Sequence, residues 1–312
     1  VYIVQAGVSG GIEKASKILM PVLFILIVLV IFRSITLPGA MDGVKYYLTP
    51  DFSKINGNTI LAALGQAFFS LSIGWGIMIT YGSYLPKSNN IISSGLWVGS
   101  MDTLVALLGG LMIFPAVFAF GKDPAGGTTL VFQVLPEIFN SMPAGGNIVG
   151  ALFFLLLCIA ALTSSISMIE VPASYLIDEK KWGRKKASWI IGIAAFLIGI
   201  PSALSGGASK FFTEISINFF GSAKTGFLDI MDALFGTLFI VIVCLMTALY
   251  VGWVLKPQKV SDEIGLGSPF YHKKLVFGLS PSQLWIFFIK FICPIVILLV
   301  LLATIGVIKA DV

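Results

Sequence analysis

The sequence predicts an all-α protein that crosses a lipid bilayer several times. Of the 312 residues, 57% are hydrophobic and only 11% are charged, whereas a soluble globular domain carries about 25% charged residues. The apolar residues form runs of the ~20 residues that a membrane-spanning helix requires. The charged residues lie mostly between these runs, and the net charge is a modest +5.

Seven apolar segments are long enough to span the bilayer. A further tract, 124–145, is amphipathic but interrupted by glycine and proline, so it predicts a loop with short helical pieces. We therefore expect a single transmembrane domain, 1–312, with spans at about 16–36, 59–85, 91–120, 146–177, 187–205, 228–255 and 283–308.

The positively charged residues predict the orientation of these spans. Cytoplasmic segments are enriched in lysine and arginine, and the densest cluster, KKWGRKK at 180–186, follows the fourth span. This pattern places the N-terminus in the cytoplasm and the C-terminus outside. Seven-helix receptors have the opposite orientation, which disfavours that class. No basic stripe with interleaved aromatic residues is present, so nucleic acid is not an expected partner.

The second span is interrupted at its centre. It contains FFSLSIGWGIMITYGSY at 68–84, where two serines and the triplet Gly74-Trp75-Gly76 occupy the middle of the membrane. Glycine lowers the cost of leaving the helix, and an unwound segment offers backbone groups to ions and charged ligands. Small residues also suit a helix-packing surface. This stretch alone leaves both interpretations open.

Two other spans carry polar groups where they are costly. Asp102 lies within the third span, and a carboxylate there indicates a functional site by default. The fourth span contains AALTSSISMIE at 160–170. We expect Ser165 and Ser167 to bond back to the preceding turn. Glu170 is a candidate structural partner of a polar group elsewhere, and its role is open. Oxygen ligands without imidazole or thiolate favour Na⁺ or H⁺ over a transition metal.

Four motifs, in order, resemble one transporter family. FFSLSIGWG with the following ITYGSY is similar to the unwound sixth helix of the neurotransmitter:sodium symporter family. ALTSS at 161–165 resembles the eighth helix of that family, LDIMD at 228–232 the tenth, and the charged turn ending LIDEKK at 176–181 also fits. The resemblance covers essentially the whole chain, and it is to the bacterial amino-acid symporters with eleven helices.

This resemblance implies a fold and an activity. The spans would be helices five to eleven of a leucine-transporter-type fold, that is, the second inverted repeat with the fifth and eleventh helices. The first helix, which completes both sodium sites in the family, is not in the sequence, so we expect residues 1–312 alone not to transport. The implied activity is sodium-coupled symport of a hydrophobic or aromatic amino acid by alternating access. The resemblance also implies a bacterial inner (plasma) membrane and no organic cofactor. It leaves open whether the protein forms a homodimer.

The resemblance also implies the ion ligands. Ser70 is similar to a sodium ligand that also touches the substrate carboxylate, and Asp102 looks like a ligand of the same sodium. Many relatives have asparagine at the position of Asp102; because a carboxylate brings its own negative charge, we expect transport not to need chloride. Ala160 (by its carbonyl), Thr163 and Ser164 resemble the second sodium site.

A substrate pocket and two gates follow from the same resemblance. The residues that would line the pocket are Phe69, Ser70, Ser72, Trp75, Ser164 and Met168. Trp75 stands where phenylalanine is expected, so its bulk should change the usable volume. Gln66 and Asp232 would belong to the extracellular gate. Asp178, with Ser83 and Tyr84 nearby, would belong to the intracellular gate.

Three other functions have sequence features for or against them. An ion channel or pore subunit usually repeats one filter motif, whereas the polar motifs here differ from span to span. An intramembrane enzyme would need a nucleophile–base pair or a metal-ligand cluster, and the single His272 lies in a polar loop. Proton coupling through Asp102 or Glu170 remains open, as does the role of Lys290 within the last span.

Overall fold

The chain is mostly helical in a computed structural model, which describes residues 1–124, 130–142, 145–220, 222–268, 270–274 and 278–308. It divides into two compact units. The first contains Val1–Ser53, Met101–Ile169 and Trp182–Ser188, and the second contains Lys54–Ser100, Glu170–Lys181 and Trp189–Val312.

The regular elements are numbered in chain order. The α-helices are α1 Tyr2–Gln5, α2 Lys14–Ile35, α3 Ala40–Leu48, α4 Gly57–Ser70, α5 Ile77–Ser83, α6 Ile91–Ala119, α7 Leu135–Ser141, α8 Gly146–Asp178, α9 Arg184–Leu204, α10 Lys210–Glu214, α11 Phe227–Met231, α12 Ile240–Leu249, α13 Pro257–Gly265, α14 Pro281–Phe287 and α15 Cys293–Thr304. The strands are β1 Ser216–Phe219 and β2 Ser222–Thr225, and Phe52–Lys54 is a 3₁₀ turn. The π-helical segments are Val8–Glu13, Leu130–Val134, Asp232–Phe239, Tyr250–Val254 and Phe288–Ile292.

Six helical stretches among the described residues are long and apolar enough to cross a membrane. They are Val8–Ile35, Ile91–Ala119, Gly146–Asp178, Arg184–Leu204, Phe227–Val254 and Pro281–Thr304. These stretches overlap the first and the third to seventh predicted spans, and the first begins earlier than predicted. The remaining predicted span, 59–85, consists of the two shorter helices α4 and α5, separated by residues 71–76.

The first unit encloses an apolar core between α2, α6, α7 and α8. Val30, Val117, Leu135 and Phe153 are each at most 3% exposed in this core. In the tract 124–145, helix α7 buries Leu135 with Ile138 and Phe139, whose spacing places the three side chains on one face. Residues 125–129 and 143–144 of that tract lie outside the described residues.

Helix α3 is fixed to α6 in the first unit by an aromatic contact. The Tyr47 ring lies directly on Gly110, where any Cβ would collide with the ring. The same ring stacks on Phe114 at 5.0 Å, and its hydroxyl donates a 3.2 Å hydrogen bond to the carbonyl of Ala106. Burial raises the pKa of the Tyr47 hydroxyl. A glycine at 110 therefore lets α3 approach α6.

The second unit has its own core, in which α12 packs against α15 and α4. Ile240, Val241, Cys244 and Val300 are each 3% exposed, and Ile297 is 6% exposed. Helix α12 contacts α4 in this core. The interruption after α4 is therefore part of a packed core.

The prediction of an all-α protein needs one correction. Residues between α10 and α11 form an antiparallel hairpin in which Ser216 pairs with Thr225 and Phe219 with Ser222. Phe220 adopts a left-handed φ of 46° at the turn. Ile and Phe in the first strand favour extended structure. The pairing with the second strand depends on contacts that these few residues did not indicate.

Candidate functional site

Helix α4 ends in the middle of its apolar stretch, as the sequence predicted. The N–H of Ile73 donates to the carbonyl of Phe68 at 3.1 Å, and the N–H of Ser72 donates to Phe69 at 3.0 Å. This pair of bonds is the Schellman pattern that terminates helices. Ser72 has φ 54° at the left-handed position where glycine is usual. The predicted unwinding between Ser70 and Ile77 is confirmed.

The interruption is held in place by contacts that only glycine permits. Gly74 has φ 92°, and a Cβ there would lie 2.7 Å from the carbonyl oxygen of Ile240 and 2.8 Å from the Cys244 sulfur. The Cys244 thiol also donates to the carbonyl of Ile73 at 3.3 Å. Gly76 has φ 78° and is the N-cap of α5. Helix α12 thus packs directly on the unwound backbone. The sequence did not indicate that Cys244 contacts this backbone.

The predicted pocket residues of the second unit lie at this interruption. Phe69 and Trp75 meet edge to face, with ring centroids 6.1 Å apart. Ser70 is the last residue of α4, and Ser72 lies within the interruption. Both serines are half-buried, whereas Phe69 is 43% exposed. Four of the six predicted pocket residues therefore lie on one broken helix, and a ring contact joins two of them, Phe69 and Trp75.

The other predicted ligands belong to the first unit. Ser164 and the half-buried Thr163 lie on α8, where the Thr163 hydroxyl donates to the carbonyl of Ala160 at 2.9 Å. Both of these oxygens keep lone pairs that a cation could use. Met168 lies farther along α8 and is exposed, and Asp102 is half-buried on α6.

The remaining serines of α8 behave as expected. The Ser165 hydroxyl donates to the carbonyl of Ala161 at 2.7 Å, and the Ser167 hydroxyl donates to that of Thr163 at 3.4 Å. These bonds confirm that both side chains bond to the preceding turn. In the described part of the chain, no group of three or more His, Cys, Asp and Glu side chains could hold a metal ion.

The two predicted residues of the extracellular gate share one cavity of about 440 Å³ in the second unit. Gln66 of α4 and Asp232, which begins a π-helical segment, both line it, together with Phe69. The Asp232 carboxylate lies against Gly236, where a Cβ would collide with it. The lining residues are Asn58, Leu61, Ala62, Gly65, Gln66, Phe69, Asp232, Gly236, Thr237, Ile240, Val241, Val300, Ala303 and Thr304.

Among the described residues, no hydrogen bond or ion pair joins Asp178 to the other two predicted residues of the intracellular gate. The Tyr84 hydroxyl donates a 2.6 Å hydrogen bond to Glu170 Oε1, and Glu170 has no exposed surface. The Ser83 hydroxyl donates to Thr80 in its own helix at 2.7 Å. Asp178 is exposed at the end of α8, and among the described residues it forms no hydrogen bond or ion pair with Ser83 or Tyr84. The sequence indicated Glu170 as a candidate partner of a polar group, because it is a carboxylate in an apolar helix, but did not identify Tyr84 as that partner.

The chain is similar to one family of known proteins over nearly its whole length. The sequence profile of the Sodium:neurotransmitter symporter family matches residues 1–311. A sodium-dependent transporter of Bacillus subtilis, YhdH, is 40% identical over 316 aligned positions, which cover 99% of this chain and 65% of YhdH. A sodium-dependent transporter of Haemophilus influenzae is 38% identical over 304 positions, which cover 97% of this chain and 62% of that protein.

A solved structure is also similar. The crystal structure of MhsT in complex with L-phenylalanine matches with a TM-score of 0.81 and 40% identity, covering 97% of this chain and 65% of MhsT. The chain thus spans less than two thirds of the length of each of these three proteins. These relatives are transporters rather than enzymes. The chain belongs to the sodium:neurotransmitter symporter family.

Proposed function

We propose that this chain carries substrate and sodium sites of an amino-acid symporter that works by alternating access. The observation that carries the proposal is the helix interruption at residues 71–76, inside an otherwise apolar stretch. In a membrane, irregular backbone is tolerated where it is buried in protein or lines a cavity. Family membership and the similarity to MhsT, solved with L-phenylalanine, support this reading and a hydrophobic or aromatic substrate.

The substrate pocket is proposed at the broken helix. The rings of Phe69 and Trp75 offer apolar surface for a side chain, and Ser70 and Ser72 offer hydroxyls beside unwound backbone. Ser164 and Met168 are proposed to complete the lining. Because tryptophan is larger than phenylalanine, Trp75 would set an upper limit on the substrate side chain.

Sodium is proposed as the co-transported ion, bound at two sites by oxygen atoms. Ser70 and Asp102 would each provide an oxygen ligand, and the negative charge of Asp102 would make chloride unnecessary. The carbonyl of Ala160 with the hydroxyls of Thr163 and Ser164 would provide the second set. The Ala160 and Thr163 oxygens are already within 2.9 Å of each other, and hard cations prefer such ligands. Residues of the family's first helix would complete both sites.

Two gates are proposed on either side of the pocket. Gln66 and Asp232 would act at the extracellular side, which is supported by their shared cavity beside Phe69. Tyr84, Ser83 and Asp178 would act at the cytoplasmic side, with the buried Tyr84–Glu170 hydrogen bond as its inner part. Sodium and substrate would each favour the same closed state, so each would raise the affinity for the other by an equal factor.

The proposed membrane arrangement follows the charge pattern. The six long helices and the broken pair α4–α5 would form seven spans, equivalent to helices five to eleven of the leucine-transporter-type fold. The N-terminus would be cytoplasmic and the C-terminus extracellular, because the cluster at 180–186 follows the fourth span. A bacterial plasma membrane is the proposed location. Residues 1–312 alone are proposed to be inactive in transport.

Proton coupling is a second candidate, supported by one observation. Glu170 is a fully buried carboxylate that accepts a hydrogen bond from Tyr84, and acidic residues inside membrane proteins serve as proton relays. Both candidates predict symport, and they differ in the driving ion.

Uptake into proteoliposomes tests both candidates. The complete natural protein carrying this sequence is reconstituted, and uptake of labelled phenylalanine is measured with an inward sodium gradient or with a proton gradient alone. We expect uptake with sodium, loss of uptake in Ser164→Ala, and near-normal uptake in Ser165→Ala, whose hydroxyl donates to the Ala161 carbonyl of its own helix. Uptake driven by protons without sodium would instead support the Glu170 candidate.

A further inference from the structure

The last long helix carries a lysine within its apolar stretch. Lys290 is the tenth residue of Pro281–Thr304, so its Cα lies about 14 Å along the helix from the first residue. The Lys290 side chain is half-buried, and it forms no ion pair with any described residue. A cation at this depth is costly unless an anion or the headgroup layer is within its reach.

The position of Lys290 is fixed by its neighbours. The Trp253 indole N–H donates to the Lys290 carbonyl at 3.0 Å, and the Lys290 ammonium lies 5.8 Å from the centre of the Trp253 ring. Gly252 permits this approach, because a Cβ there would lie 2.9 Å from the carbonyl oxygen of Ile289. Two π-helical segments therefore contact each other at this point, and the ammonium is held over an aromatic face.

An apolar cavity of about 440 Å³ lies next to the same contact. Val251 and Ile289, which line it, each directly precede a residue of the contact, and Cys293 lies one turn beyond Lys290. Gly74 and Gly76 of the helix interruption also line it. The volume is within the ~300–1,000 Å³ range of pockets that hold small ligands. The cavity thus extends from residues adjoining Lys290 to the unwound backbone.

We propose that Lys290 and this cavity bind one anionic phospholipid. The phosphate group pairs with the ammonium, and an acyl chain enters the cavity. The positive charge of Lys290 favours an anionic ligand. Trp253, Phe288 and Phe291 around the lysine expose apolar surface, which favours a ligand that also has an apolar part. Basic sites between membrane helices are typical of anionic headgroup recognition. A bound chain contacts Gly74 and Gly76, and therefore the interruption itself.

Alkylation of Cys293 reports on occupancy of the cavity. The complete natural protein is placed in nanodiscs of phosphatidylcholine, with or without a minor fraction of phosphatidylglycerol. An uncharged maleimide is added, and the rate at Cys293 is followed by peptide mass spectrometry. We expect phosphatidylglycerol to slow alkylation about fivefold, the effect of one lysine on anionic lipid binding.

Matched variants separate a specific site from general attraction to the bilayer. Lys290→Gln is expected to abolish the effect of phosphatidylglycerol, and Lys290→Arg is expected to retain it. Lys259→Gln, which removes a charge from α13 outside the cavity, is expected to retain it. Equal rates in the two bilayers overturn the proposal. So does a phosphatidylglycerol effect that survives Lys290→Gln or is lost equally in Lys259→Gln.

Discussion

Tyr84 and Glu170, 86 positions apart in the sequence, are joined by a 2.6 Å hydrogen bond from the tyrosine hydroxyl to the carboxylate. Glu170 has no exposed surface. The bond therefore satisfies a buried carboxylate, and a buried polar group without a hydrogen bond is costly. It ties the end of α5, which follows the interruption, to the second half of α8.

Removing this bond should destabilise the protein. Tyr84→Phe deletes the donor and leaves the buried carboxylate with fewer partners, at a cost of about 1–3 kcal/mol. The measurement is the midpoint of thermal unfolding in detergent. Tyr250→Phe is the control, since Tyr250 is exposed and its change should leave the midpoint nearly unaltered. Equal midpoints for Tyr84→Phe and the parent protein would show that the bond adds nothing.

Gly74 should tolerate no side chain. Gly74→Ala places a methyl group against the Ile240 carbonyl and the Cys244 sulfur and keeps a φ of 92°, and strain of this kind costs about 1–3 kcal/mol. We expect poor expression and a lower unfolding midpoint. Gly82→Ala is the matched control, because Gly82 is in α5 with open space around its Cα, and alanine there should be neutral or stabilising. A normal Gly74→Ala protein would contradict the packing of α12 on the interruption.

Ser72 should show opposite effects on stability and on substrate binding. Glycine adopts the left-handed φ of 54° without strain, so Ser72→Gly should raise stability by roughly 1 kcal/mol. If the hydroxyl contacts substrate, the same change should weaken amino-acid binding. Ser72→Ala separates the two effects, because it loses the hydroxyl and keeps the strain. Unaltered affinity in both variants would remove Ser72 from the proposed pocket.

Asp102 should control the sodium dependence of binding. Asp102→Ala removes a proposed carboxylate ligand, so we expect the sodium concentration for half-maximal substrate binding to rise at least about tenfold, or about 1.4 kcal/mol. Replacing chloride with gluconate should leave uptake by the parent protein unchanged. Sodium dependence that is the same in Asp102→Ala would remove this residue from the site, and uptake abolished without chloride would refute chloride independence.

The sequence predicted the parts of the site that depend on local chemistry. Glycines and serines in the middle of an apolar run were compatible with an interruption or with a helix-packing surface, and the resemblance of FFSLSIGWG to the unwound sixth helix of the family predicted the interruption. The back-bonding of Ser165 and Ser167 followed from their place in an apolar helix.

Features that depend on contacts between distant residues were not predictable in the same way. The partner of Glu170 lies 86 positions away, and the contact of Cys244 with Ile73 joins positions 171 apart. The hairpin at 216–225 has only four residues in each strand, too few for a clear alternation of polar and apolar positions.

Equilibrium binding of a labelled amino acid at varied sodium concentration tests whether sodium and substrate bind cooperatively. The complete natural protein is purified, and phenylalanine binding is titrated in sodium, with potassium keeping the ionic strength constant. We expect sodium to raise the affinity for phenylalanine, and phenylalanine to raise the affinity for sodium by the same factor. Phenylalanine binding of equal strength in potassium and sodium would refute the coupling of sodium to substrate binding.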